Sequence, residues 1–252
     1  MIEVDLSGRV TVITGGSRGI GLGLARAFRD TGTDLHIVAN DDSISGVVRE
    51  LGVTGHQADI AIEADLQSFM PSIPQIDILI NNAGLERLTP LTDSSAENEA
   101  IFRRIIDVNV TGTFLVTRAA LPKMSSGGRI ISTSSVWGRI GEPLFSAYVA
   151  SKHAIIGMTK TWAKELGPRG ITANAICPGW VRTESSLRSL ASLADRSGVQ
   201  EEVLLESILN NQALPGIMEP YDIAGAYIFL ASKLASNVTG QTFCVDRGEA
   251  PW

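Results

Sequence analysis

Cysteine is nearly absent from this chain: Cys177 and Cys244 are its two among 252 residues. A disulfide framework is therefore not expected, and both read as small buried residues. Long apolar runs are missing as well, so no membrane-spanning helix is expected. The opening stretch MIEVDLSGRV carries Glu3 and Asp5 where a secretory leader would carry Lys or Arg, which makes the cytoplasm the expected location. Clusters of basic residues are wanting too: 21 Lys and Arg against 27 Asp and Glu give a net charge of −6. Neutralising a phosphate backbone needs a basic face, so nucleic acid is not an expected partner. There is no Pro/Gly/Ser tract, short-period repeat or low-complexity segment to act as a linker, and residues 1–252 read as one domain.

What remains is an acidic, metabolite-handling composition, 44% hydrophobic and long enough to bury a substantial core. Six β-rich runs alternate with stretches of helical period: VTVITG (10–15), LHIVA (35–39), IDILINNAG (76–84), GRIISTSS (128–135), ITANAICPG (171–179) and GQTFCVD (240–246). Between them Ile20, Leu24, Ala27 and Phe28 recur at helical spacing, as do Ile101, Ile105, Val108 and Gly112, then Ile155, Thr159, Trp162 and Leu166. Near-continuous apolar strands separated by helices predict an α/β fold, a doubly wound parallel sheet of Rossmann type with helices on both faces. Residues 182–216 break this rhythm with polar helix-like sequence; an insertion beyond a strand's carboxyl end is expected to cover the substrate crevice.

TGGSRGIG, residues 14–21, follows the first strand and opens the first helix. Gly15 suits a tight turn, Gly19 a close approach of backbone to a pyrophosphate and Gly21 close helix packing, with the helix N-terminus facing the phosphates. Its spacing, Gly15-x-x-x-Gly19-x-Gly21, resembles the T-G-x-x-x-G-x-G of the classical short-chain dehydrogenase/reductase family (SDR). Asn81-Asn82-Ala83-Gly84 matches that family's N-N-A-G, and Asn109 its helix asparagine. Ser135 and, thirteen residues on, Tyr148 with Lys152 match its Ser and Y-x-x-x-K. Pro178-Gly179 with Thr183 match P-G-x-x-x-T, and Val245-Asp246 the terminal strand. The matches run in order along essentially the whole chain.

The resemblance implies an NAD(P)-dependent alcohol dehydrogenase or carbonyl reductase without a metal. Tyr148 would be its general acid or base, Ser135 would hydrogen-bond the reacting oxygen, and Asn109 would hold a water linking Lys152 to solvent. Lys152 would also bond the nicotinamide ribose and lower the Tyr148 pKa: a unit charge about 4 Å away at an effective dielectric of ~20 is worth roughly 4 kcal/mol. Ser132 and Ser134 lack the thirteen-residue offset and read as structural. Tyr221 and Tyr227 read as packing residues of a late helix, and His36, His56 and His153 as ordinary structural histidines.

The cofactor is expected against Gly15, Ser17, Arg18, Gly19, Ile20 and Gly21, then Asn40, Asp59 and Ile60, then Asn82, Ala83 and Gly84. Tyr148, Lys152, Pro178, Gly179, Val181 and Thr183 complete the set. Its phosphorylation state turns on HIVANDDS, residues 36–43. The family's NAD-selecting Asp aligns with Ala39, and Arg18 is the residue type that NADP users place against the 2′-phosphate. Asp41 and Asp42 would oppose that phosphate, but they also read as caps of the next helix. NADP is expected over NAD.

The substrate end is expected to be lined by Ser135 and by residues beyond the strand ends, Glu86, Trp137, Leu144, Phe145 and Trp180. Glu142, Arg182 and Arg188 read either as ligands of a polar substrate or as solvated charges. A small polar alcohol or ketone, such as a sugar, polyol or hydroxy acid, fits better than a β-ketoacyl carrier protein: of a basic docking patch Arg169 is present, but Ser126 stands where a second Arg is expected. A non-catalytic cofactor-binding regulator is the reading from another class, and the complete Ser/Tyr/Lys set argues against it. Arg247 stands where the family usually has a second Gly, and the end GEAPW is not an apolar tail. A homo-oligomer, tetramer or dimer, is still expected.

Overall fold

The computed structural model describes residues 4–250. Seven strands form one all-parallel sheet: β1 (Val10–Thr14), β2 (Asp34–Ala39), β3 (Thr54–Gln57), β4 (Ile78–Asn81), β5 (Arg129–Thr133), β6 (Thr172–Pro178) and β7 (Thr242–Val245). Their order is β3-β2-β1-β4-β5-β6-β7. The α/β parallel sheet expected from the alternation of runs is the one observed. The run not anticipated is TGHQ, which forms β3. It sits at the sheet edge, where only one neighbour and partial burial are available, and so carries no apolar signature.

The two faces of the sheet are covered by different helices because successive side chains of a strand point to opposite sides. Ile13, Ile37, Ile80 and Ile176 enter one core with α1 (Gly19–Arg29), α2 (Ile44–Leu51) and α9 (Ala224–Ala231). Val12, Val38, Leu79 and Ile130 enter the other with α3 (Glu63–Phe69), α5 (Thr113–Ala120) and α6 (Ser146–Leu166). The remaining helices are α4 (Ala96–Ile106), α7 (Glu184–Ser197) and α8 (Glu201–Asn210), the last two within the insertion at 182–216. Tyr227 is fully buried on α9, as expected, whereas Tyr221 precedes that helix and is 58% exposed; it is not a packing residue.

One helical run departs from regular geometry. Between α4 and α5 the chain widens into a π-type turn, Asp107–Gly112, and this turn brings Asn109 inward, leaving Val108 half-buried. Gly112 permits it: a Cβ there would lie 2.9 Å from the Ile60 side chain.

The order reverses between β1 and β4, and their carboxyl ends open a crevice at that switch point. Gly15, at φ +68°, turns the chain out of β1, and its N–H donates to the Val38 carbonyl at 2.7 Å. A Cβ on Gly21 would lie 1.8 Å from the Gly15 carbonyl oxygen, so the first turn of α1 packs on the loop that precedes it. Gly21→Ala is therefore expected to lower the thermal midpoint without any nicotinamide present, by about 3 kcal/mol or roughly 10 °C. Gly157→Ala, where no atom lies within 4 Å of the added methyl, is expected to be neutral or to gain about 0.5–1 kcal/mol. Equal melting of both variants would refute this account of Gly21.

Candidate active site

Thr14, at the end of β1, organises the floor of the crevice. Its hydroxyl oxygen accepts from Asn82 N at 3.0 Å and Ala83 N at 3.1 Å, and Asn82 Nδ2 returns bonds to the Thr14 and Gly15 carbonyls at 3.1 and 3.3 Å. The glycine loop and the N-N-A-G turn are thereby locked together. Above them runs a cavity of about 610 Å³ that extends from Arg18 and Asp41 to Trp137, Trp180 and the insertion helices.

All the residues expected against a cofactor line this cavity, from the glycine loop through Asn40, Asp59 and Ile60 to Pro178, Val181 and Thr183. The cradle suits a dinucleotide: the first-turn amides of α1 have no intrahelical acceptor, and a Cβ on Gly15 would fall 2.8 Å from Ala83 Cα. Thr183 also caps α7, accepting from Ser186 N at 3.1 Å while Ser186 bonds back to Thr183 N. Asp59 is paired with Arg104. Asp41 accepts from Ser43 N at 3.1 Å on one oxygen; its other oxygen accepts from Ser17 Oγ at 3.0 Å and lies 4.0 Å from Arg18 Nη2. Asp42 is not on the cavity wall and takes a bond from Gln57 Nε2 at 2.9 Å.

Ser135, Tyr148 and Lys152 converge on the same cavity, Ser135 from the end of β5 and the other two from one face of α6. Lys152 Nζ donates to the Thr133 carbonyl at 2.9 Å and lies 5.4 Å from the Tyr148 ring centre. Asn109 is not on the wall. Its amide accepts from Leu85 N at 2.7 Å and donates to Leu85 O at 3.0 Å and Ser151 Oγ at 2.9 Å, clamping the turn that carries Glu86. Ser134 lines the cavity and its hydroxyl donates to the Lys152 carbonyl at 2.8 Å, whereas the buried Ser132 hydroxyl has no partner among the described residues. His36 stacks on His56 with Nδ1 to Nε2 at 3.0 Å, away from the cavity.

At the substrate end Trp137 and Trp180 line the cavity, with Glu86, Glu142 and Arg188. Leu144 and Phe145 do not. Phe145 is fully buried behind Trp137, with ring centres 4.7 Å apart, and Leu144 adopts φ +69° in the turn whose carbonyl receives Thr89 N. Arg182 pairs with Glu219 at 3.2 Å and stays outside the cleft. Glu249 is a lining residue that sequence reasoning missed, because it reaches the site only through the turn after β7, a hundred residues beyond Tyr148. Among the described residues no three His, Cys, Asp or Glu side chains gather as metal ligands, and no helix is long and apolar enough to cross a membrane.

The electrostatics of this dry end oppose a simple lysine effect on the phenol. Burial pushes Tyr148 well above the ordinary phenol value, Glu86 pushes it further, and the Ser135 hydroxyl pulls it partly back. Burial lowers Lys152 to about 8. The desolvation that excludes water thus weakens the ammonium that was expected to lower the phenol. Glu86 is itself raised by burial, with Ser189, Lys152 and Arg188 acting against that rise.

Three kinds of likeness bear on this geometry. A family model described as "Enoyl-(Acyl carrier protein) reductase" matches residues 15–249. A D-beta-hydroxybutyrate dehydrogenase of Cupriavidus necator is 34% identical over 256 residues, covering 96% of this chain and 98% of that one. A 3-oxoacyl-[acyl-carrier-protein] reductase of Synechocystis sp. is 36% identical over 260 residues, covering 96% and 97%. The crystal structure of a variant actinorhodin polyketide ketoreductase with NADPH superposes with a TM-score of 0.89 at 28% identity, covering 97% of this chain and 98% of the other.

The lowered Lys152 has a thermodynamic signature. Its folded pKa, about 8, lies below the ordinary 10.5, so the unfolded chain binds more protons between those values and stability rises with pH across that window. Relative to Lys152→Met, the natural chain is expected to gain roughly 3 kcal/mol from pH 7.5 to 10.5, read from denaturant midpoints at each pH. Parallel pH profiles of the two proteins would rule out a depressed lysine.

Proposed function

The chain belongs to the short-chain dehydrogenase/reductase family of nicotinamide-dependent oxidoreductases, and from that premise we propose that its cleft moves a hydride between the nicotinamide and a secondary alcohol or ketone on a small polar molecule. A sugar, polyol or hydroxy acid meets that description. The observation that carries this reading is the convergence of Ser135, Tyr148 and Lys152 on one cavity that continues without a break to the glycine loop.

When bound, the nicotinamide supplies or accepts the hydride and, oxidised, brings a positive charge. Tyr148 holds the proton at the reacting oxygen, giving it up in carbonyl reduction and taking it in alcohol oxidation. Its elevated pKa keeps the phenol protonated in the chain by itself, which suits the acid role. Ser135 bonds the same oxygen and stabilises its alkoxide character. Lys152, fixed on the Thr133 carbonyl, orients the ribose and the phenol. Asn109 acts by position, holding Leu85 and hence the N-N-A-G turn, with a water between Lys152 and solvent as its further role. Residues 182–216 close over the substrate and exclude solvent.

NADP is favoured over NAD. Both oxygens of Asp41 are engaged, by Ser43 on one side and by Ser17 and Arg18 on the other, which leaves little acceptor capacity for a ribose diol. Arg18 is 62% exposed at the cavity mouth, and its pairing with Asp41 is long, at 4.0 Å; a 2′-phosphate would compete for the same guanidinium. A second reading, reduction of a β-ketoacyl group on a carrier protein, gains from the Synechocystis relative's description. Against it, Ser126 stands where a second basic residue of a docking patch is expected; Arg169 is exposed, with its Nη2 donating to the Leu121 and Met124 carbonyls, both at 2.9 Å. The working form is proposed to be a cytoplasmic homo-oligomer, tetramer or dimer.

Tyr148→Phe is expected to lower turnover at least a thousandfold while the NADPH dissociation constant, followed by tryptophan quenching, changes less than threefold. Near-normal turnover would refute the role of Tyr148. In parallel titrations NADPH is expected to bind at least tenfold more tightly than NADH, and Arg18→Ala to erase most of that difference. A preference for NADH that survives Arg18→Ala would reverse the cofactor assignment.

A further inference from the structure

We infer that Cys177 and Cys244 form a reversible disulfide when the protein meets a hydroperoxide, a redox modification that releases the turn carrying Ser135. The pairing is read from strand register and goes beyond the oxidoreductase reading above; only its effect on turnover rests on that reading.

The chain's two cysteines are free thiols on neighbouring parallel strands, and the register of β6 and β7 sets Cys177 directly against Cys244. Register partners point to the same face of a sheet, here the face to which Ala173 already contributes its side chain. The two thiols therefore stand side by side. Adjacent strands lie about 4.8 Å apart, inside the roughly 4.4–6.8 Å that a disulfide spans between Cα atoms.

The two are not equivalent, and the difference sets the order of events. Cys177 is fully buried, whereas Cys244 is half-buried on β7, an edge strand with one neighbour. Arg139 Nη1 donates to Cys244 Sγ at 2.9 Å, a cationic contact that favours the thiolate. Burial pushes Cys177 up to about 11 and raises Cys244 as well, with Arg139 acting against that rise at Cys244. Attack therefore begins at Cys244: its thiolate forms an S–O bond, the O–O bond of the hydroperoxide breaks, and the leaving oxygen takes up a proton. Cys177 then gives up its proton and attacks the Cys244 sulfur; the S–S bond forms, the S–O bond breaks, and the oxygen leaves as water. The two sulfurs lose two electrons in all, and the hydroperoxide gains them.

The contact that oxidation disturbs belongs to the wall of the cleft. Arg139 closes the turn Val136–Gly138, its N–H donating to the Val136 carbonyl at 2.8 Å beside the 2.9 Å bond from Gly138 N to the Ser135 carbonyl. That turn presents Ser135 and Trp137 to the cavity, and the Arg139–Cys244 contact ties it to β7. A disulfide sulfur carries no charge and accepts weakly, so the tie is lost on oxidation.

The test is to treat the full chain with hydrogen peroxide and then with dithiothreitol, reading intact mass, linked peptides and amide hydrogen exchange. Peroxide is expected to remove about 2 Da, to link the Cys177 and Cys244 peptides, and to speed exchange at Gly138 and Arg139 at least tenfold, all reversed by the dithiol. Cys177→Ser should stop at a Cys244 sulfenic acid that dimedone captures, Cys244→Ser should resist the same dose, and Arg139→Met should slow linkage at least tenfold. Two surviving thiols, or sulfinic acid without a linked pair, overturn the inference. A linked pair with unchanged exchange at Gly138 and Arg139 overturns the release of the Ser135 turn. None of these readouts needs a nicotinamide, so they stand or fall apart from the oxidoreductase reading. Where that reading holds, the oxidised natural chain should lose turnover at least tenfold and peroxide-treated Cys244→Ser should keep it.

Discussion

The hydrogen bonds between Thr14 and the Asn82-Ala83 backbone are the constraint on which the cleft depends. They join two strand ends that are neighbours in the sheet but lie 68 residues apart in the chain. With that joint in place Gly15 must turn sharply, α1 starts with its free amides toward the cavity, and the N-N-A-G turn becomes the opposite wall. Asn109 then fixes the far end of the same wall through Leu85, which sets where Glu86 stands relative to Tyr148 and Lys152. A loss at any of these points would move both the glycine-loop cradle and the Glu86, Tyr148 and Lys152 cluster, because they share one backbone.

Dryness is the second theme. Burial raises the Tyr148 phenol, lowers the Lys152 ammonium and raises the Glu86, Glu142 and Glu249 carboxyls. Every shift moves the group toward its neutral form, as expected where a low dielectric penalises charge. The cleft is therefore poised to respond to charges that ligands bring into it. A cationic ring would reverse part of this pattern at Tyr148.

Much of the architecture was legible from residue patterns. Apolar runs such as IDILI and TANAIC announce buried parallel strands because both faces of such a strand meet helices, and TGGSRGIG marks its own turn because only glycine tolerates that backbone path and packing. TGHQ escaped because an edge strand needs no apolar run. Phe145 was expected in the pocket because it lies beyond a strand's carboxyl end, yet after the φ +69° turn at Leu144 it is fully buried behind Trp137. No local pattern signals that reversal.

The chain's own sequence determined the sheet, the glycine loop and the Ser135, Tyr148 and Lys152 set, since strand burial, positive φ and the i, i+4 geometry of a helix are all local requirements. Tertiary structure alone decided that Glu249 enters the cleft while Phe145 leaves it, and that Arg169 Nη2 bonds the Leu121 and Met124 carbonyls. It also decided that Lys152 is a weakened cation. These outcomes depend on desolvation and on contacts between segments far apart in the chain, which depend on the packed environment rather than on residue order.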